Sequence, residues 1–251
     1  MSELPIAMFV FLALIGFLAG FVSAIAGSGG LIVLPVLLAV GVPPLNALAT
    51  NKFQSVFGTL SSALNFLHQG HIDLSRMKAS LIYAFVGASL GTLIVQQLDT
   101  ELLRLVLPYL LILLAIYVAI SPSMSDRDRP PRWSSKRFDK IVGGGIGFYG
   151  GFLGPGMGSF FAVAFSSLRG FNLKRATAHT KPLVLITNTT SLVIFMLAGY
   201  VVWPLAIAMA AAQFVGARLG SQLVISKGAG LIQPVLVFMI VLLALKLLFY
   251  P

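Results

Sequence analysis

Residues 27–52 read GSGGLIVLPVLLAVGVPPLNALATNK and decide the fold of this chain. A glycine-rich turn precedes ten apolar residues that include Pro35, and a second turn leads into a helix that carries Lys52. Ten helical residues rise about 15 Å, whereas the hydrocarbon core of a bilayer is about 30 Å thick. The stretch therefore predicts a short helix that does not cross a bilayer alone, followed by a longer helix with a lysine near its start.

The composition indicates that this stretch lies in a membrane. Of 251 residues, 58% are hydrophobic and 10% are charged, whereas soluble domains carry about 25% charged residues. A soluble globule is excluded, and the length allows roughly eight to ten apolar helices. The chain has no cysteine, which excludes disulfides, thiol catalysis and cysteine-bound metal centres. We interpret the excess of 17 Lys and Arg over seven Asp and Glu as membrane topology rather than nucleic-acid binding, and we expect no cofactor.

The decisive stretch recurs 129 residues later, where residues 156–181 read GMGSFFAVAFSSLRGFNLKRATAHTK. The same shift superposes the two halves without a gap, seven of the first half's ten glycines meet glycines, and Lys52 meets Lys181. Apolar matches are common in membrane sequences, but glycine and lysine matches are not. The sequence therefore predicts one transmembrane domain, 1–251, with internal repeats 1–120 and 139–250 joined by a basic linker, 121–138, an arrangement typical of secondary transporters.

Each repeat is predicted to contain five apolar helices. Apolar runs between turn signals give helices at 5–26, 31–40, 46–69, 74–97 and 102–120, and again at 141–153, 160–168, 174–200, 203–226 and 231–250. The predicted fold is an all-α integral membrane protein in which each repeat has a short broken or re-entrant hairpin plus three transmembrane helices.

Two topologies fit these helices. If the first two helices of each half form one broken crossing, the repeats are parallel. If they form a hairpin that returns to its own side, the repeats are inverted. Two full crossings by these helices would also give inverted repeats, because they too leave an odd number of crossings in each half. With the linker in the cytoplasm, the inverted option places twelve basic residues inside and Arg104 alone outside, against eight and five for the parallel option. The positive-inside rule favours inverted repeats, with both chain ends outside.

Lys52 and Lys181 are the main candidates for a functional site. Each lies about six residues into its helix, roughly 9 Å below the surface, and no Asp or Glu is predicted at that depth. An unpaired charge in hydrocarbon costs at least about 2.5 kcal/mol. Either both lysines snorkel to the headgroups, or they form an anion site. Their matched positions in the two repeats favour the anion site, and the missing carboxylates argue against a metal or ammonium transporter.

Polar residues on the same helical faces and the glycine turns complete the candidate site. If the hairpins are re-entrant, the short helices point their N-termini at the protein centre, where such ends bind anions; alternatively, the glycines only permit close helix packing. The substrate-binding candidates are Lys52, Lys181, Asn51, Thr180, Gly29, Gly30, Gly156, Gly158, Thr59, Asn188 and Arg218.

Arg218 and His179 have two interpretations each. Arg218 occupies the position matched by Ser89 in the first repeat, and it either adds a third positive contact for a divalent anion or pairs with helix carbonyls. His179 lies two residues before Lys181 and is a candidate for proton coupling, although a structural, hydrogen-bonded histidine is the favoured alternative.

One pattern resembles an enzyme motif. Residues 87–91, GASLG, match the G-x-S-x-G serine nucleophile signature. The repeat partner, residues 216–220, reads GARLG, so only the glycine spacing is shared and helix packing explains it. We expect no catalytic residues, no metal site and no enzyme activity.

The two glycine turns and the helix starts that follow them resemble the TauE/SafE sulfite exporter family of anion permeases. The first copy has Gly27 to Gly30, Pro35 and ALATNK at 47–52, and the second has Gly154 to Gly158 and ATAHTK at 176–181. The resemblance implies a plasma-membrane permease, in bacteria in the inner membrane, for sulfite, sulfonates or related small organic anions, in many members running outward. This chain departs in having Ala164 where the second proline would fall.

The expected function is therefore a secondary transporter that moves a small anion by alternating access, with a cytoplasmic linker. The alternatives are an anion channel that uses the same residues and a membrane enzyme or scaffold. A further departure is Pro182, directly after Lys181, which is expected to disturb its helix.

Overall fold

The computed structural model describes residues 6–120 and 127–227, and within these ranges the chain is helical and contains no strand. The helices are α1 (Ile6–Ala26), α2 (Gly30–Ala39), α3 (Pro44–His68), α4 (Lys78–Val95), α5 (Thr100–Ile120), α6 (Ser135–Phe138), α7 (Gly144–Phe152), α8 (Met157–Arg169), α9 (Leu173–Leu197) and α10 (Trp203–Lys227). The all-α prediction is confirmed. The last predicted helix, 231–250, lies outside the described residues.

Three details differ from the predicted elements. The end of the linker is helical, because α6 continues through a π-helical turn, Asp139–Gly143, directly into α7. Helix α8 begins at Met157, three residues early, since Gly156 adopts a left-handed conformation with φ 78° and starts the helix there. Helix α9 continues through Pro182 without a break, so the expected disturbance is absent.

The helices have the length and surface of a membrane protein. Among the described residues, the helical segments Ile6–Ala26, Leu74–Val95 and Leu173–Leu197 are long and apolar enough to cross a bilayer, whereas α2 has only ten residues. Large apolar side chains such as Ile82 (63% exposed) and Leu219 (52% exposed) cover the outer surface. Polar side chains such as Gln54 and Ser191 are fully buried. This distribution fits a protein whose solvent is lipid.

Close helix packing depends on pairs of glycines. Helix α1 packs along α10, and α4 packs along α7. A Cβ atom at Gly87 or Gly91 of α4 would overlap the backbone of α7, and one at Gly216 or Gly220 of α10 would overlap the backbone of α1. The packing interpretation of the GASLG pattern is therefore confirmed. Its serine, Ser89, is half-buried and donates a hydrogen bond to the Phe85 carbonyl at 2.9 Å.

These contacts group most of the helices into two bundles. Helix α3 packs on α10 and on α1, which gives bundle A (α1, α3 and α10). Helix α9 packs on α4, α7 and α8, which gives bundle B (α4, α7, α8 and α9). The main contact between the bundles is that of α3 with α9. The decisive stretch and its repeat therefore meet at the centre of the molecule.

Both short hairpins return to the end where they begin. Met8 of α1 and Val40, just after α2, line one cavity with Val202, which precedes α10; we call this the far end. At the opposite end, Asp139 before α7 and Arg169 at the end of α8 line a second cavity; we call this the linker end.

Candidate functional site

The two helix breaks touch each other inside the protein. The turn between α1 and α2 and the turn between α7 and α8 cross so closely that a Cβ on Gly27 would overlap the backbone of Gly158, and the reverse also holds. The hydroxyl oxygens of Ser28 and Ser159 lie 2.6 Å apart. Ser159 also donates a hydrogen bond to the Ala26 carbonyl at 2.5 Å. The two turns therefore form one contact between bundles A and B.

Lys52 lies beside this contact and is almost completely buried. Its side chain is 1% exposed, and its Nζ donates hydrogen bonds to the Gly150 carbonyl and to Asn188 Oδ1, the latter at 3.3 Å. Gly154, with φ 97°, comes so close to the amine that a Cβ there would lie 2.4 Å from Nζ. In the part of the chain that the structure describes, no carboxylate pairs with this lysine.

Lys181 has the equivalent environment in the other half. It is 3% exposed, and its Nζ donates a hydrogen bond to the Ser23 carbonyl at 2.9 Å. Ser23 lies in the last turn of α1, as Gly150 lies in the last turn of α7. The carbonyl end of a helix carries a partial negative charge that favours cations. Each lysine therefore binds the end of the other half's first helix, and the snorkelling interpretation is wrong.

The polar residues predicted to join the lysines are also buried, and some already have partners. Asn51 accepts a hydrogen bond from Gln54 at 3.2 Å and faces Gly30. Thr180 donates to the Thr177 carbonyl of its own helix at 2.8 Å. Thr59 and Asn188 are 5% and 2% exposed.

Two buried polar atoms on the same faces have no hydrogen-bond partner. These are Thr187 Oγ1 and Gln54 Oε1. Because an unpaired buried polar group costs about 1–3 kcal/mol, such atoms mark positions where a ligand or water would be stabilising.

A family model described as the sulfite exporter TauE/SafE matches residues 12–247 of the chain. The chain belongs to this family. It is 43% identical over 248 residues to the probable membrane transporter protein YfcA of Escherichia coli K12, covering 99% of this chain and 91% of that protein. It is 39% identical over 247 residues to a probable membrane transporter protein of Haemophilus influenzae, covering 98% and 97%. No solved structure matches the chain significantly.

A third relative extends over the whole chain. The probable membrane transporter protein ORF9 of a Sinorhizobium species is 39% identical over 251 residues, covering 100% of this chain and 96% of that protein. The resemblance stated from the glycine turns is confirmed, and the protein is a membrane transporter of the TauE/SafE family. The names of these relatives describe transport rather than catalysis.

In the described part of this TauE/SafE protein, neither Arg218 nor His179 is hydrogen-bonded to either lysine. Arg218 is exposed on the outer face of α10, and the structure does not bring it to the helix breaks. His179 is buried, donates from Nδ1 to the Arg175 carbonyl at 2.9 Å, and has its ring centroid 4.9 Å from that of Phe171. It lines the linker-end cavity.

The sequence analysis missed the partners of the lysines. The carbonyls of Ser23 and Gly150 carry no signal in side-chain patterns. Their position near a glycine-induced helix end was a usable signal, since the last carbonyls of a helix have no intrahelical partner and attract cations. Ser28 and Ser159 are not equivalent under the 129-residue shift, so the repeat did not identify them as a pair.

Proposed function

We propose that the protein is a secondary transporter that moves small sulfur-containing or organic anions, such as sulfite or sulfonates, outward by alternating access. The observation that carries the proposal is the pair of buried ammonium groups, Lys52 and Lys181, which are bonded to backbone carbonyls rather than to carboxylates. Each group has an uncompensated positive charge, and the carbonyls hold the place that the oxygens of a bound anion take.

Exchange of a carbonyl for an anion is favourable at such a site. A neutral carbonyl satisfies the hydrogen bond of a lysine but not its charge, whereas an anion adds the Coulomb attraction between two opposite charges. Low dielectric surroundings increase the attraction further. Since no carboxylate of the described residues pairs with either lysine, a cation in the same place is repelled by two ammonium groups. The polar groups of Asn51, Asn188 and Thr187 offer neutral contacts that distinguish one small anion from another.

The bonds at the site cross from one bundle to the other. Lys52 on α3 belongs to bundle A and binds α7 of bundle B, whereas Lys181 on α9 belongs to bundle B and binds α1 of bundle A. The serine pair of the two turns also crosses. The moving bodies in this proposal are therefore the two bundles rather than the two sequence halves, and separation at α3 and α9 opens the site.

Inverted-topology repeats in a bacterial inner membrane, with a cytoplasmic linker, are part of the proposal. The return of both short hairpins to the end where they begin supports an inverted duplication, since a hairpin plus the three helices α3, α4 and α5 gives the first half an odd number of crossings. A cysteine introduced at the exposed Lys136 tests the placement of the linker. Labelling of that cysteine in intact cells by a membrane-impermeant reagent would overturn it.

Flux through proteoliposomes tests the transport function. We expect labelled sulfite, or at least one of sulfate, thiosulfate and a small sulfonate, to cross with the purified protein. Lys52→Ala and Lys181→Ala should each abolish this flux, whereas Lys136→Ala, an exposed lysine in the linker, should retain it. Wild-type flux in both buried-lysine variants would remove the site. A steady uncoupled anion current would identify a channel instead.

A further inference from the structure

A cavity of about 360 Å³ lies at the linker end, apart from the two lysines. It is formed by the α3–α4 loop, the start of α4, the end of the linker, the end of α8 and the start of α9. The side chains that matter for its chemistry are those of His71, Arg76, Arg169, Arg175 and His179. At about 30 Å³ for each water molecule, the space holds roughly a dozen waters. A hydrated oxyanion of four or five heavy atoms fits within it.

The carboxylates around this cavity are already engaged. Asp73 lies 3.0 Å from Arg76 and accepts a hydrogen bond from the Ser75 amide at 3.1 Å. Asp139 accepts a hydrogen bond from the hydroxyl of Ser80. Asp128, near the cavity, pairs with Arg175 at 3.0 Å.

Arg169 is the best-placed free donor in the cavity wall. It donates one hydrogen bond to the Trp133 carbonyl at 2.7 Å. An arginine has five N–H donors in a planar fork that matches two oxygens of an oxyanion. Most of its donor capacity therefore remains for a ligand.

The charge surrounding the cavity is strongly positive. In residues 6–120 and 127–227, the linker end carries three carboxylates, Asp73, Asp128 and Asp139, against twelve basic residues. These are Arg76, Lys78, Arg127, Arg129, Arg132, Lys136, Arg137, Lys140, Arg169, Lys174, Arg175 and Lys227. A surface with a large excess of one sign of charge concentrates ions of the opposite sign and raises their association rate.

Histidine adds hydrogen bonding rather than fixed charge at neutral pH. Burial, and secondarily the positive charge of Lys174, lower the pKa of His71 below its ordinary value. His71 is therefore neutral at pH 7 and offers one N–H donor and one acceptor. The attraction for an anion at that pH comes from the arginines.

The cavity and the central site share helix α9. His179, in the cavity wall, precedes Lys181 by two residues, which is a rise of about 3 Å along the helix axis. An anion held in the cavity is thus close in depth to one of the two lysines.

We propose that this cavity is a loading site that holds a soluble oxyanion through Arg169 and Arg76 before the anion reaches the two lysines. The loading role rests on the proposed transport function. A phosphate group of an anionic lipid offers the same chemistry, and the experiment separates the two sources.

The test measures initial rates of labelled sulfite transport in oriented proteoliposomes of zwitterionic lipid, with the anion supplied at the linker end or at the far end. Arg169→Gln and Arg76→Gln should each raise KM several-fold from the linker end, leave the maximal rate unchanged, and leave KM from the far end unchanged. Arg76 is 81% exposed, so its replacement does not threaten folding. Arg76→Lys should restore most of the affinity, and the exposed Arg104→Gln, at the far end, is the matched control.

The outcomes that would overturn the loading site are specific. An unchanged KM in both variants, or an equal rise from the two ends, would do so. A different lipid response would also overturn it. If added phosphatidylglycerol raises the KM of the wild type but not that of the arginine variants, the cavity binds a lipid phosphate instead. Lys52→Ala is measured alongside the arginine variants. If Lys52→Ala is inactive and both arginine variants keep wild-type kinetics, only the loading site is rejected. If Lys52→Ala is fully active, the central site is rejected.

Discussion

Lys52 donates a hydrogen bond from α3 to the carbonyl of Gly150 in α7, a residue 98 positions later in the chain. Lys181 makes the equivalent bond to Ser23, 158 positions earlier. The two bonds exchange partners between the halves of the chain. The site therefore exists only when both halves are folded together, and its two charges respond together to any separation of the bundles.

Gly154→Ala should damage both stability and transport. The substitution places a methyl group 2.4 Å from the Lys52 amine and 2.9 Å from the Gly150 carbonyl oxygen, and it forces φ 97° on a residue with a side chain. We expect a loss of about 1–3 kcal/mol from overpacking and strain, seen as a lower thermal unfolding temperature in detergent, together with loss of anion flux.

Gly41→Ala is the matched control for this prediction. Gly41 has a similar conformation, φ 83°, but nothing lies within 4 Å of the added methyl group. It should show the cost of strain alone and retain flux. Equal effects of the two substitutions would show that the contact with Lys52 is unimportant.

A disulfide between the two helix breaks should lock the transporter. Ser28 and Ser159 have hydroxyl oxygens 2.6 Å apart on opposite bundles, and the chain has no cysteine of its own. Oxidation of the Ser28→Cys, Ser159→Cys variant should stop anion flux, and a reductant should restore it. The reason is that alternating access in our proposal requires the two turns to separate.

The control for this lock lies within bundle B. Thr92 and Ser191 have hydroxyl oxygens 2.9 Å apart on α4 and α9. A disulfide between cysteines at these two positions should leave flux intact. Full transport by the oxidised Ser28/Ser159 variant would contradict the proposed motion.

The sequence predicted the helices and the two lysines, but not how they meet. Apolar runs bounded by turn residues were enough to predict the described helices, because a membrane helix needs only sufficient length and apolar side chains. The duplication singled out Lys52 and Lys181 because a charge is costly in lipid at both positions. Their bonds to Ser23 and Gly150 depend on the crossing of two glycine turns. That crossing is a backbone contact with no side-chain pattern of its own.

Arg218 is a residue that the sequence placed in the candidate site and the structure places outside it. It was included in the candidate site because it is a cationic residue within an apolar helix, at the position that Ser89 holds in the first repeat, where it could add a third positive contact for a divalent anion. The glycines at 216 and 220 face α1, and residue 218 between them points outward. Sequence position within the motif did not reveal which side of the helix was buried.

Gly91→Ala should destabilise the fold far more than Ser89→Ala. A methyl group at Gly91 overlaps the backbone of α7 at Phe148 and Phe152, and a rigid backbone cannot move aside as a side chain does. We expect a cost of about 1–3 kcal/mol or more for Gly91→Ala. Ser89→Ala, at a half-buried position whose hydroxyl bonds only its own helix, should stay within about 0.5 kcal/mol of the wild type. Thermal unfolding in detergent measures both, and a larger effect at Ser89 would contradict the packing role of this motif.

His179→Asn should preserve both transport and its response to a pH gradient. The amide nitrogen of asparagine replaces Nδ1 as donor to the Arg175 carbonyl, the bond that His179 makes at 2.9 Å, but the side chain no longer titrates. The imidazole is enclosed by Phe165 and Phe171, with ring centroids 5.8 and 4.9 Å away, which favours a structural role. Anion uptake is measured with and without an imposed pH gradient. If protons pass through this histidine, the variant loses the gradient-dependent component while its gradient-independent uptake stays at the wild-type rate, and the structural interpretation is then wrong.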